Sequence, residues 1–159
     1  MTPITIRPYT AADAAATLEV FWNAIRVTAA AHYSPEQIDA WAARDLDVGE
    51  WSTRRAQSET VVAVVDGSVA GFTDVDTGGY IDMMFVHPAF ARLGVATQLF
   101  RWVLHTAERN GSPRLTATVS LTARPFFEAH GFVVERERFS VVSGVALTNY
   151  AMSRDVRLD

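Results

Sequence analysis

The sequence has no cysteine among its 159 residues, which rules out a disulfide framework, a thiolate metal site and a cysteine nucleophile. Acyl transfer through a cysteinyl intermediate is therefore excluded. No stretch approaches the roughly 20 apolar residues of a membrane-spanning helix, and the N-terminal MTPITIRPY lacks a charged segment followed by an apolar run. A cytoplasmic protein with no membrane partner is expected. Positive charge is also scarce: Lys plus Arg number 14 against 18 Asp plus Glu, for a formal net charge of −4. This leaves no basic footprint for nucleic acid and mildly favours a cationic small substrate. No His, Asp or Glu cluster has metal-ligand spacing, so no metal is expected. Apolar residues are plentiful, at 49%. That is ample for one core, and the length suits a single domain over 1–159.

Periodicity and turn chemistry divide the chain. Thr5 to Pro8 reads as a first strand. Thr10 and Asp13 resemble a capping box, followed by an apolar stripe of Ala14, Leu18, Phe21, Trp22, Ile25 and Ala29 that ends near Ala31 to Tyr33. Ser34-Pro35-Glu36-Gln37 starts a second helix whose buried side would be Ile38, Trp41, Ala42 and Leu46. The polar run from Arg44 to Ser58 reads as an irregular connection with Trp51 its only large apolar residue. Glu59 to Asp66 and Ser68 to Asp76 are strands joined by the tight turn Asp66-Gly67. Tyr80 to Val86 is the central strand, and a helix runs from about Gly94 to Asn110-Gly111. Arg114 to Val119 is the next strand, parallel to the central one. A short helix within Ser120 to His130 and two final strands, Phe132 to Val142 and Val145 to Met152, complete the chain. The order predicts an α/β single domain with a mixed sheet.

The turn between the central strand and the long helix carries the strongest signal. Arg92, Leu93, Gly94, Val95 and Ala96 would present unpaired N–H groups at a helix N-terminus, a place that binds phosphates. Gly94 permits φ > 0 or close approach, while Arg92 and Thr97 add a charge and a hydroxyl. Neither the P-loop nor the dinucleotide glycine pattern is present. The stretch from Val86-His87-Pro88 to Gly94-Val95-Ala96 resembles instead the pyrophosphate loop of the GNAT superfamily of N-acetyltransferases, V-x-P-x-x-Gln/Arg-x-x-Gly-x-Gly/Ala. Ala91 departs from the usual Gln or Arg, with Arg92 beside it. Ser120 to Phe132, SLTARPFFEAHGF, resembles the family's late helix, with Ser120 near the common Asn and Phe127 at the common Tyr. The element order is also that of the family.

This resemblance implies a mixed, mostly antiparallel, twisted sheet of about seven strands with about four helices, splayed between its central parallel strands. It further implies acetyl-CoA as cosubstrate, with direct transfer to a small-molecule amine or a peptide N-terminus. Met84, Phe85 and Val86 would hold the pantetheine arm and offer a backbone donor to the developing oxyanion. Arg92 to Thr97 would hold the pyrophosphate, and Ser120 and Phe127 would border the cofactor.

The proton-accepting candidates are Asp82, Glu19, His32, Asp74 and Asp76. Asp82 leads, because a carboxylate among buried strand residues would have a raised pKa. The same position also suits a solvated strand residue or a structural salt bridge. His32 falls between two helices where this fold builds its acceptor pocket, although a lone histidine at a helix end also suits a cap. Phe127 cannot protonate the leaving thiolate; Tyr150 is the candidate substitute, although its position also suits a half-buried strand aromatic. Trp22, Tyr33 and Trp51 would form an aromatic wall for an apolar or planar acceptor, although Trp22 also suits core packing; Trp51, in a polar loop, is the expected contact residue. A non-catalytic acyl-CoA binding or sensing domain is the alternative, favoured by Ala91 and Phe127. An edge strand of the C-terminal hairpin could pair two copies as a homodimer.

Overall fold

In the computed structural model, which describes residues 2–157, strand β1 (Ile4–Pro8) runs antiparallel to β2 (Thr60–Val65), and β2 to β3 (Ser68–Asp74). Asp66 and Gly67 turn between them at φ of 49° and 77°, the paired left-handed conformation that suits strand twist. β2 reads as a continuous apolar run because both its faces are covered. On one face Val62 and Phe72 meet Leu18, Phe21 and Trp51. On the other, Val61, Ala63 and Val65 meet Val95 and Leu99.

Caps set the helix starts. The Thr10 N–H donates to the Asp13 carboxylate at 2.9 Å, and Arg7 clamps the same carboxylate at 2.8 and 2.9 Å. Helix α1 (Ala14–Asn23) follows and loosens into a π turn over Ala24–Thr28 and a 3-10 turn over Ala29–Ala31. Helix α2 (Pro35–Trp41) begins with a reciprocal cap: Ser34 Oγ accepts from the Gln37 N–H at 3.2 Å, and Gln37 Oε1 accepts from the Ser34 N–H at 2.9 Å. It stops at Trp41, so Leu46, expected on its buried side, lies beyond it and is exposed.

The segment expected to be an irregular connection is instead helix α3 (Val48–Gln57), capped by the Asp47 carboxylate on the Glu50 N–H at 3.0 Å. Only Trp51 and Arg55 are buried on it. One tryptophan and one arginine at i, i+4 make no apolar stripe to recognise.

The central strand also differs from expectation. It is two strands, β4 (Tyr80–Ile81) and β5 (Met84–Val86), in different sheets. β5 pairs antiparallel with β3, whereas β4 pairs parallel with β6 (Arg114–Ser120) through Tyr80↔Thr116 and Ile81↔Ala117. With β7 (Val133–Val142) and β8 (Val145–Asp155), the result is two four-stranded sheets, β1-β2-β3-β5 and β4-β6-β8-β7. Among the described residues the count is eight strands rather than about seven because the central strand divides, and five α-helices rather than about four because of α3. Helix α4 (Val95–Arg109) joins the sheets. Val95 and Leu99 pack on the first, and Phe100 and Val103 pack on the second with Phe127 of α5 (Arg124–Ala129). β7 is a sheet edge from which Phe139 and Val141 project, exposed. Any pairing of two copies through the hairpin would build there.

Gly79 launches β4 at φ 88°, and a Cβ at this position would lie 2.1 Å from the Arg114 carbonyl oxygen. Gly79→Ala should therefore push β4 off β6 and lower stability by roughly 2–3 kcal/mol, read from urea unfolding. An unchanged midpoint would show that the contact yields without cost.

Candidate active site

The site begins at the two peptides between β4 and β5. The Asp82 and Met83 N–H groups donate to Asp74 Oδ1 at 2.8 and 3.3 Å. The Met83 carbonyl accepts from Thr73 Oγ1 at 2.8 Å and from the Asp74 N–H at 3.3 Å. Buried backbone groups must find partners, and these find them on the end of β3 instead of on β6. The chain thus leaves β6 after Ile81, and β5 and β6 diverge.

Three adjoining spaces fill the fork. A cleft of about 240 Å³ lies between β5, the start of α4 and α5, touching Met84, Val86, Ala96 and Phe127. A narrow passage of about 70 Å³, bordered by Asp82, Met84, Thr118 and Phe127, runs between the separating strands. A second cavity of about 240 Å³ opens beyond it, walled by Phe21, Tyr33, Leu147, Asp82 and Asn149. Trp41, Phe85 and Ser120 border all three.

At the outer end of the first cleft, Pro88–Phe90 forms a 3-10 turn capped by His87, whose Nδ1 accepts from the Ala89 N–H at 3.0 Å. The chain then takes positive φ at Arg92 (64°) and Gly94 (86°). Left-handed residues beside a helix start turn successive N–H groups toward one point, an anion-binding concavity. The N–H groups of Val95, Ala96 and Thr97 have no acceptor inside α4; Gln98 is the first to bond back, to the Gly94 carbonyl at 3.0 Å. A Cβ on Gly94 would meet no atom within 4 Å, so the space before the helix is open. Arg92 and Leu93 are exposed there, and Ala96 continues the concavity into the cleft.

The predicted residues separate into those the fold gathers and those it does not. Met84, Phe85, Val86, Ala96, Ser120 and Phe127 all line the first cleft. Tyr33 lines the second cavity with its ring; its hydroxyl donates to the Thr148 carbonyl at 2.7 Å and accepts from the Leu121 N–H at 2.9 Å.

His32 borders none of these cavities: it is exposed and bonds Thr122 Oγ1 at 2.9 Å, tying the end of the first helical segment to the turn after β6. Tyr150 is half-buried and packs against the core of the second sheet beneath the Arg124 guanidinium, 4.5 Å from its ring centroid. Trp22 packs against the first core and donates to the Ala43 carbonyl at 3.0 Å. Trp51, expected as an exposed contact, is buried, with Nε1 donating to Thr17 Oγ1 at 2.9 Å.

Asp82 does reach the passage, but it was expected to be buried and is 53% exposed. At the break between β4 and β5 the buried carboxylate is that of Asp74, 2% exposed. Loss of solvation pushes its pKa up to about 6, and the neighbouring Asp82 adds to this; the two amide bonds and Arg55 oppose it. Trp41 and Phe21 had been assigned to helix cores, and strand alternation could have placed Asn149 and Thr118 beside Ser120, since Ser120 pairs with Asn149. Among the described residues no His, Asp and Glu group could hold a metal ion, and no helix is long and apolar enough to cross a membrane.

Comparison with known proteins identifies the family and the fold. Residues 29–154 match the family model of the acetyltransferase (GNAT) domain. The chain is 36% identical over 152 residues to the N-acetyltransferase YafP of Escherichia coli (strain K12), covering 96% of each. A GCN5-related N-acetyltransferase from Rhodopseudomonas palustris superposes with a TM-score of 0.93 at 31% identity, over 98% of this chain and 97% of that one. The PaiA N-acetyltransferase of Thermoplasma acidophilum, solved with coenzyme A, superposes at 0.78 and 17% identity, over 96% and 99% of the chains.

The burial of Asp74 predicts a pH dependence of stability. Its folded pKa of about 6 lies above the ordinary 3.8, so the native state binds its proton more tightly than the unfolded chain. The favourable contribution is complete below the unfolded value and is lost as pH rises through about 6. The span is about 3 kcal/mol. Urea midpoints from pH 4 to 7 should carry a downward component that Asp74→Asn removes; parallel curves for the two proteins would show that Asp74 is ionised throughout.

Proposed function

The chain belongs to the GNAT acetyltransferase family, and from that premise we propose that it moves an acetyl group from acetyl-CoA directly to a primary amine borne on an apolar body. The observation that carries this reading is the passage through the fork. It connects a cleft with an anion-binding mouth to an aromatic cavity, and the exposed carboxylate of Asp82 stands between them. When bound, acetyl-CoA supplies an activated thioester. The chain's own part begins with the N–H groups at Arg92 to Thr97, which hold the pyrophosphate by charge–dipole attraction. Met84, Phe85 and Val86 guide the pantetheine arm along the separated edge of β5, where main-chain donors face charge as it develops on the carbonyl oxygen.

The acceptor cavity defines the amine. Its walls include Phe21, Tyr33, Trp41, Phe85 and Leu147, and among the described residues Asp82 is the one formally charged residue lining it. A cationic amine has a counter-charge there, whereas a substrate carboxylate would have no cation to meet. Asn149, which lines the cavity, donates from Nδ2 to Ser140 Oγ at 2.6 Å, and its Oδ1 is buried without a partner among the described residues. The bound ammonium first gives one proton to solvent; the neutral nitrogen then bonds to the acetyl carbon as the carbon–sulfur bond breaks, and Asp82 takes the second proton. Phe127 is buried and offers no proton to the departing sulfur. A thiol with a pKa near about 8.5 leaves as the thiolate without an acid.

Two measurements test this. Calorimetry with acetyl-CoA should show binding by the wild type and none by Gly94→Glu, which places a carboxylate in the open space where the pyrophosphate is proposed. Free-thiol release with a panel of primary amines should favour apolar bodies over matched amino acids. Asp82→Asn should lower kcat by about 10² to 10³ with affinity for the cofactor retained. Binding without thiol release for any amine would make the chain an acyl-CoA binding or sensing domain.

A further inference from the structure

The acceptor cavity continues beyond its aromatic walls. Tyr80 and Thr118 line it and also line a shallow groove of about 380 Å³ that crosses β6, β8 and β7 on the same face of the second sheet. Strand register fixes what the groove displays. Thr118 pairs with Ala151 and Ala151 with Arg136; two residues further along, Ser120 pairs with Asn149 and Asn149 with Arg138. Cross-strand partners share a face, as do residues two apart, so Arg136 and Arg138 stand on the face of Thr118, Ser120 and Asn149, all of which line the cavity.

The run Glu135-Arg136-Glu137-Arg138 would alternate sign across the sheet, but β7 carries a bulge between Val134 and Arg136. Glu137 falls on the opposite face, paired with Tyr150, whereas the bulge turns Glu135 into the groove, where it accepts from Arg114 and from the Ser153 hydroxyl. Arg114 is thereby matched. Arg136 and Arg138 are exposed, and neither joins an ion pair among the described residues. The groove is therefore lined by three arginines against one glutamate, on a chain whose net charge is −4. A guanidinium without a partner, at the end of a path that begins at the reacting amine, is a ready site for a carboxylate.

We propose that Arg136 and Arg138 form an anion subsite for the acceptor, and that the preferred amine carries a carboxylate at the far end of its apolar body. The inference rests on the amine acetylation proposed above and narrows its substrate class. Tyr80↔Thr116 and Ile81↔Ala117 bring the chain to Asp82 beside Thr118 of β6, and β7 lies two strands from β6, about 10 Å away. An acceptor held at both ends thus spans on the order of 10 Å between nitrogen and carboxylate, close to an extended aminooctanoate. A carboxylate on the carbon that bears the amine stays inside the cavity, where it meets no cation, so ordinary amino acids remain poor acceptors.

The experiment measures thiol release with ω-aminocarboxylates of increasing chain length against alkylamines of matched length, in wild type and in Arg136→Gln/Arg138→Gln. In the wild type the kcat/KM ratio of aminocarboxylate to alkylamine should peak near aminooctanoate, stand about tenfold above the ratio in the double variant, and fall as salt is raised. KM for acetyl-CoA and kcat for octylamine should be the same in both proteins. A ratio equal in the two, or one without an optimum length, would overturn the proposal and leave the arginines a solvated strand face. Absence of thiol release with every amine would defeat the proposed function, and calorimetry would then decide the subsite alone. Aminooctanoate should bind the wild type about tenfold more tightly than the double variant, and equal affinities, or no binding by either protein, would overturn the subsite.

Discussion

The architecture depends on how two peptide groups, those donating from Asp82 and Met83, satisfy their hydrogen bonds. A strand that continued straight through them would pair with β6 along its whole length and close the sheet. Instead Asp74 and Thr73, at the end of β3, offer a carboxylate, a hydroxyl and an amide at the required places. Those bonds replace the missing ladder, and because the polar groups are satisfied the break carries little penalty. The separation of the sheets, the passage between them and the exposed edge of β5 all follow from it. Helix α4 then locks the opening by packing one side on each sheet.

Much of this was legible in the sequence because the signals are local. The Asp66-Gly67 turn, the Ser34 and Gln37 cap and the loop ending at Gly94 each draw on a few neighbouring residues whose chemistry admits little else. Long-range features were not legible. The division of Tyr80 to Val86 depends on residues of β3, several positions earlier in the chain, and nothing in the apolar run itself marks Asp82 and Met83 as a break. Helix α3 was hidden for a related reason. Its buried face consists of Trp51 and Arg55, and an arginine counts against burial until the carboxylates it meets are known.

The candidate site divides in the same way. Met84 to Val86 and Ala96 come from one stretch of chain, and with Ser120 and Phe127 they line one cleft. The second cavity is assembled from distant segments that include α1, α2, β6, β7 and β8, so Trp22, Trp51 and His32 were reasonable choices by segment yet face elsewhere once the helices rotate into place. Trp41 shows how small the difference is. It shares an apolar stripe with Ile38, but the helix ends with it, and the indole projects past the core edge into the fork.

That projection has a spectroscopic meaning. One indole touches the cleft, the passage and the far cavity at once, while Trp22 and Trp51 are held by hydrogen bonds within the protein. Whatever enters from either side of the sheet changes the polarity around the same chromophore. The fold thus carries its own optical reporter at the point where the three cavities adjoin.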